Sequence, residues 1–184
     1  MILVTTGTHH QPFDRLVHAA EALARLGERV IVQAGASVAP APSCERYAWL
    51  DPGVVSALAD EAEVIVSHTG PASLFLAWDR GRRPIVVPRR RDRGEHVDDH
   101  QVRFAAHLGP DRAIVVHDPD RLVAEWGSLR ARAVEPVPID SDARSAAFAA
   151  AFGARVDALV ARGGRAGGWR ATLPSLLIPR RTRP

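Results

Sequence analysis

Short runs of consecutive apolar residues alternate along this chain with segments in which apolar positions recur every three to four residues. Residues 1–5 form the first run, and a polar loop carrying Gly7 separates it from a stretch where Phe13, Leu16, Val17, Ala20, Leu23 and Ala24 share one helical face. Pro12 fits the first helical turn, where its missing N–H costs nothing, and Gly27 fits the residue just past the helix end. Residues 29–33 predict a second strand. The small, proline-containing residues 34–43 predict a loop, with a weak strand over 46–49. Asp51-Pro52 has the form of an N-cap followed by proline at the first helical position, opening a short helix to about residue 60.

The pattern then repeats. Residues 64–67 are a continuous apolar strand, 71–80 a helix closed by Gly81, and 85–87 a buried strand between prolines, which makes a βαβ unit. A charged loop over 89–96, a helix over 97–108 and a last strand over 113–116 follow, and Asp118-Pro119 signals another helix start. Residues 141–162 are alanine-rich, with Phe148, Phe152, Val156 and Leu159 at helical spacing, and predict a long C-terminal helix. The expected fold is α/β: an open, mostly parallel sheet with helices on both faces, Rossmann-like. We expect one domain over residues 1–162 and a basic tail over 163–184.

Composition narrows the classes. With 46% hydrophobic residues the chain can bury a core, so disorder is not its main state. Cys44 is the only cysteine, which excludes an intrachain disulfide and an all-cysteine metal site and points to a reducing, cytoplasmic setting. No apolar run reaches the roughly 18–20 residues of a membrane span, and a signal-peptide pattern is missing, so membrane contact is expected to be peripheral, through a partner. The net charge of +3 is small, but no acidic residue follows Asp157, while Arg162, Arg165, Arg170, Arg180, Arg181 and Arg183 do. That tail suits an anionic lipid or an acidic partner, or is simply a solvated terminus. The basic residues are not interleaved with aromatics, which disfavours nucleic-acid binding.

In such a sheet ligands bind beyond the carboxyl ends of the strands, where three loops lie. The first is Thr6-Gly7-Thr8-His9-His10-Gln11. Its N–H groups and hydroxyls suit a phosphate, although a lone glycine in a βα turn is also what any tight turn uses. It lacks the Gly-Lys-Ser/Thr ending of a Walker loop and the further glycines of a dinucleotide fingerprint, which disfavours a nucleotide-dependent oxidoreductase. The second is Ser67-His68-Thr69-Gly70-Pro71-Ala72-Ser73. Gly70 allows close approach, Pro71 opens the helix, and free N–H groups at Ala72 and Ser73 make an anion site that His68 and the Ser73 hydroxyl would share. Taken singly, a histidine such as His68 is more often a capped structural residue than a ligand contact; within this loop the two readings stand level. The third, residues 89–101, carries Gly94-Glu95-His96-Val97-Asp98-Asp99-His100-Gln101, whose carboxylates and carboxamide suit sugar hydroxyls. One of Asp98 and Asp99 would also serve as a helix cap. His96 and His100 have no third ligand fixed by spacing, so no metal is expected.

With these loops in this order, the chain resembles the C-terminal donor domain of glycosyltransferase family 28 in its single-domain form, as in exopolysaccharide subunits of the PssE or EpsE type and the Alg13 subunit. The residues carrying the likeness are Gly7-Thr8-His9, Gln11-Pro12-Phe13-Asp14-Arg15-Leu16, the loop from Ser67 to Ser73, Pro84-Ile85-Val86-Val87-Pro88-Arg89 and the run from Gly94 to Gln101, over about residues 1–116. The resemblance implies half of a GT-B enzyme that binds a UDP-sugar without a metal. The diphosphate would lie at the helix opened by Gly70, Pro71, Ala72 and Ser73, with His68 beside it and Gly7 and Thr8 facing it. His96, Asp99 and Gln101 would address the sugar, and the backbone around Trp49 and Leu50 would meet the uracil.

It further implies an inverting transfer to a lipid-linked acceptor in polysaccharide biosynthesis, at the inner face of the membrane. A membrane-anchored partner of the PssD, EpsD or Alg14 kind would supply the acceptor half. His9 is the candidate general base in this chain, unless the partner provides it. Two positions depart from the family pattern. His10 replaces an acid in the first loop, and Leu76 stands where the family usually has a ribose-binding acid. Leu76 keeps open a second reading, an assembly or regulatory subunit that no longer binds donor.

Overall fold

In the computed structural model, residues 1–135 and 150–155 are described. The chain divides into a unit spanning Met1–Ile139 and a second spanning Asp140–Pro184. In the second unit residues 150–155 are helical, as the spacing of Phe152 predicts; the rest of the expected helix and the arginine-rich tail lie outside the described residues.

In the first unit, β1 (Ile2–Thr5), β2 (Val30–Gln33), β3 (Glu45–Tyr47), β4 (Val64–Ser67), β5 (Ile85–Val86) and β6 (Ile114–Val115) form one sheet in the order β3-β2-β1-β4-β5-β6. Every pairing is parallel, with Thr5 in register with Gln33 on one side and Ser67 on the other. The helices are α1 (Asp14–Arg25), α2 (Pro52–Glu61), α3 (Pro71–Trp78), α4 (His100–Ala105), α5 (Pro119–Ala124) and α6 (Trp126–Ala133). Strand side chains alternate between two cores, because successive residues of a strand point to opposite faces. Ile2 and Val4 pack with Leu16, Val17 and Leu23 of α1, Leu122 of α5 and Leu129 of α6. Leu3, Ile31 and Ile65 pack on the other face with Ala59 of α2 and Ala77 of α3. Burial on both faces is why the strands are continuous apolar runs rather than alternating ones. β3 is the exception: it is exposed throughout, at the sheet edge, and rich in polar residues.

The punctuation residues act largely as expected. Asp51 accepts from the N–H of Gly53 (2.7 Å) and Asp118 from that of Asp120 (3.1 Å), each ahead of a proline at the helix start. Gly27 and Gly81 adopt positive φ (96° and 62°) just past α1 and α3. Three expectations are corrected. Pro12 is not in the first turn of α1, which starts at Asp14, because the Phe13 N–H donates to Ser37 Oγ (2.8 Å) instead and fixes the chain before the helix. The helix expected over 97–108 is only His100–Ala105. Its first residues are held in turns by the Asp98 and Asp99 carboxylates, which accept from the N–H groups of His100 (3.0 Å) and Arg91 (2.9 Å). The edge strand lies at Glu45–Tyr47, slightly before the expected 46–49.

Candidate functional site

β1 has β2 on one side and β4 on the other, so the chain winds away from it in opposite directions. This switch point leaves a crevice beyond the strand ends. A cavity of about 300 Å³ occupies it. Of the residues expected at the donor, Gly7, Thr8, Leu50, His68, Ala72 and Ser73 line the cavity. Thr5, Gln33, Pro52, Val55 and Leu76 complete the lining. Gly70 and Pro71 cap and open α3 at its edge. His96, Asp99 and Gln101 are not in the lining.

The geometry around His68 explains two glycines. A Cβ on Gly7 or on Gly70 would run into the His68 ring, so the imidazole is held between the backbones of the first two loops. Gly7 also has φ 79°, where a side chain is strained. Burial, reinforced by the nearby Arg89 cation, pushes the His68 pKa down to about 4, so the ring is neutral at neutral pH. Its Nδ1 is buried without a partner. At the start of α3, the expected pair of free N–H groups is reduced to one. The Ser73 N–H donates to the Gly70 carbonyl (3.1 Å), a tight first turn, whereas Ala72 N–H has no backbone acceptor. The Ser73 side chain still faces the cavity.

The third loop is tied to the other two by buried side chains whose role the sequence analysis did not anticipate. Arg89, fully buried, donates from its guanidinium to the carbonyls of Thr6 (2.6 Å), Gln11 (2.8 Å) and Glu95 (2.9 Å) and, more distantly, Pro12 (3.4 Å). It also lies over the Phe13 ring, 4.8 Å from its centroid. Burial lowers its pKa to about 10, which leaves it cationic at neutral pH. Arg15 of α1 grips both carboxylate oxygens of the buried Glu95 and donates to the carbonyls of Pro88 (2.6 Å) and His117 (2.9 Å). Glu95 in turn accepts from the Arg90 N–H (2.9 Å). The Gln101 carboxamide oxygen accepts from the Arg89 N–H (3.1 Å) and from Thr69 Oγ1 (3.3 Å), joining the second loop to the third. In the sequence Arg89 opens a run of three arginines after Pro88, and nothing there separates it from Arg90 and Arg91, which are not buried.

Histidines 87 positions apart in sequence meet at the same end of the sheet. The His9 ring lies 4.4 Å from that of His10 and 4.2 Å from that of His96, which lies 4.4 Å from that of His100. Burial lowers the pKa of His9 and of His96, and the neighbouring imidazoles lower both further. His9 is thereby kept a neutral base. Its Nδ1 accepts from the Gln11 N–H (3.2 Å), which leaves the ring proton on Nε2. Asp98 adds a third group beside His96 and His100, their ligand atoms all within 4.8 Å of one another. These are the described residues best suited to a divalent cation, although His96 Nδ1 already accepts from the Val97 N–H and Asp98 from His100.

Comparison with solved structures finds GT-B enzymes. The calicheamicin glycosyltransferase CalG4 matches with a TM-score of 0.55 at 18% identity, covering 88% of this chain and 42% of that one. The glycotransferase of kitacinnamycin matches with a TM-score of 0.51 at 23% identity, covering 70% and 34%. MurG of Acinetobacter baumannii matches with a TM-score of 0.50 at 21% identity, covering 72% and 42%. At these identities the likeness is one of fold, and the chain spans about a third to two-fifths of the length of these proteins. No curated protein matches the chain. The family model of the glycosyltransferase family 28 C-terminal domain matches residues 1–118, which takes in all six strands and all three loops, and the chain belongs to that family.

Proposed function

We propose that this chain is the donor-binding half of an inverting glycosyltransferase that uses a UDP-sugar. The observation carrying the reading is the cavity at the β1/β4 switch point, where the opening of α3 and the glycine-held His68 converge. An anion there meets the Ala72 N–H, the Ser73 hydroxyl and the positive end of the helix, with Arg89 adding long-range positive potential from behind the loops. These groups stabilise the diphosphate as it leaves and need no metal for that task. His9 is the candidate base for the acceptor hydroxyl, working through Nε2 once it exchanges the Gln11 bond for the opposite tautomer. His96, Asp99 and Gln101, on the third loop, would address the sugar.

The acceptor is a lipid-linked sugar, and a membrane-anchored subunit supplies the acceptor half. No described helix is long and apolar enough to cross a membrane, which is compatible with attachment through such a partner. Coexpression with that subunit should give sugar transfer from one UDP-sugar, reduced by His68→Ala or Gln101→Ala. Absence of transfer from every UDP-sugar, with a control pair active, refutes the reading. Leu76 in the cavity lining favours the alternative of a non-catalytic subunit without donor affinity, and calorimetry with UDP in the partner's presence separates the two.

A further inference from the structure

Gln33 ends β2 and forms part of the cavity lining, yet nothing in the sequence marks it, because a polar residue at the end of a strand is unremarked there. It is only 6% exposed. Its backbone carbonyl accepts from the N–H and the hydroxyl of Thr6 (3.1 and 3.2 Å), which locks the main chain. The side chain has no such anchor: Oε1 is buried and makes no hydrogen bond, while the amide nitrogen is not among the fully buried atoms and the residue lines the cavity. A buried carboxamide oxygen that lacks a partner is costly, since most such groups in folded proteins are satisfied. Structurally idle positions at a strand end beside Leu50, Val55 and Leu76 would favour an apolar residue.

The position of the amide selects what could satisfy it. Gln33 is in register with Thr5, and Thr5 with Ser67, so it lies two strand spacings, about 10 Å, from the strand that leads into α3. A phosphate at the α3 start and Gln33 therefore face the same cavity from strands about 10 Å apart, a separation that a phosphate and a pentose together span. The carboxamide offers both a donor and an acceptor, which matches a vicinal diol, and the cavity has no carboxylate in its lining. The neighbouring Thr5 Oγ1 accepts from the Gly7 N–H (3.3 Å), so it offers a ligand chiefly its O–H, whereas Gln33 offers a donor and an acceptor together. We infer that Gln33 is the residue that binds the ribose hydroxyls of the nucleotide in this cavity, in the place where Leu76 leaves the opposite wall apolar.

This rests on the nucleotide-sugar reading of the site, and the test separates the two. The full chain, together with its partner subunit, is titrated calorimetrically with UDP and with 2′,3′-dideoxy-UDP, as wild type and as Gln33→Met, which keeps the side-chain length. The wild type should bind dideoxy-UDP about tenfold more weakly than UDP, the loss of one or two neutral hydrogen bonds. Gln33→Met should bind both equally, at the weaker level. Equal affinity of the wild type for the two ligands overturns the assignment without any variant. So does a variant that folds, by its circular dichroism and melting, and still discriminates tenfold. A wild type that binds neither UDP nor dideoxy-UDP overturns the nucleotide reading itself, and the role of Gln33 with it.

Discussion

Replacing Arg89 by leucine tests whether the three loops form one preorganised unit. The guanidinium is fully buried and serves carbonyls on both sides of the site, those of Thr6 and Gln11 in the first loop, Pro12 just after it and Glu95 in the third. A stranded buried acceptor costs about 1–3 kcal/mol. Water entering the vacated space restores some of them, and the cost of burying the cation is no longer incurred, so the net loss falls below the sum. We expect a destabilisation of about 3–5 kcal/mol, within the range of a broken buried polar network. In a domain of this size that lowers Tm by about 10 °C. Arg89→Lys should recover only part of it, because an ammonium keeps the charge but cannot fork across four acceptors. Urea denaturation followed by fluorescence of the tryptophans gives the free energy, and thermal melting gives Tm. A loss under about 1 kcal/mol for Arg89→Leu would refute the claim that this residue holds the loops together.

Gly70→Ala drives a methyl group into the His68 ring, and nucleotide affinity by calorimetry should fall at least about tenfold, the factor that 1.4 kcal/mol of induced misfit gives. By contrast Gly127→Ala, in α6 with nothing within 4 Å of the new Cβ, should raise stability by about 0.5–1 kcal/mol in the same melting assay. His68 also predicts a pH dependence. Its folded pKa of about 4 lies below the ordinary imidazole value of about 6.5, so between those values the unfolded chain binds a proton that the native chain does not. Stability is therefore complete above about pH 6.5 and declines toward pH 4, by on the order of 3 kcal/mol, and His68→Gln should flatten that part of a urea-stability profile against pH.

The sequence by itself determined the strands, most helix boundaries and the parallel sheet. Those depend on local rules: short apolar runs such as Val64–Ser67, rich in β-branched residues and bounded by polar ones, read as strands buried on both faces, and the pairs Asp51-Pro52 and Asp118-Pro119 fix helix starts through a side-chain acceptor and a fixed φ. The loops at the strand ends were legible too, because Gly7, Gly70 and Gly94 punctuate them. The short α4 was not, since whether Val97, Asp98 and Asp99 extend a helix depends on carboxylate bonds to a loop several residues earlier. Nor was α6, whose weak amphipathicity hides it until Trp126 finds Glu28 across 98 residues of sequence (2.8 Å).

Only the tertiary structure decided what the polar residues of the site do. Arg89 reads as one of a run of surface arginines until its four carbonyl acceptors are assembled around it, and nothing in the sequence shows that the Gln101 oxygen joins Arg89 to Thr69. The meeting of His9 with His96, the wedging of His68 between two glycines and the partnerless carboxamide oxygen of Gln33 belong to the same class. The physical reason is range. Backbone conformation and hydrophobic burial act through neighbours in sequence, so periodicity records them, whereas hydrogen-bond satisfaction and proton affinity are set by groups that only the closed fold brings within a few ångströms.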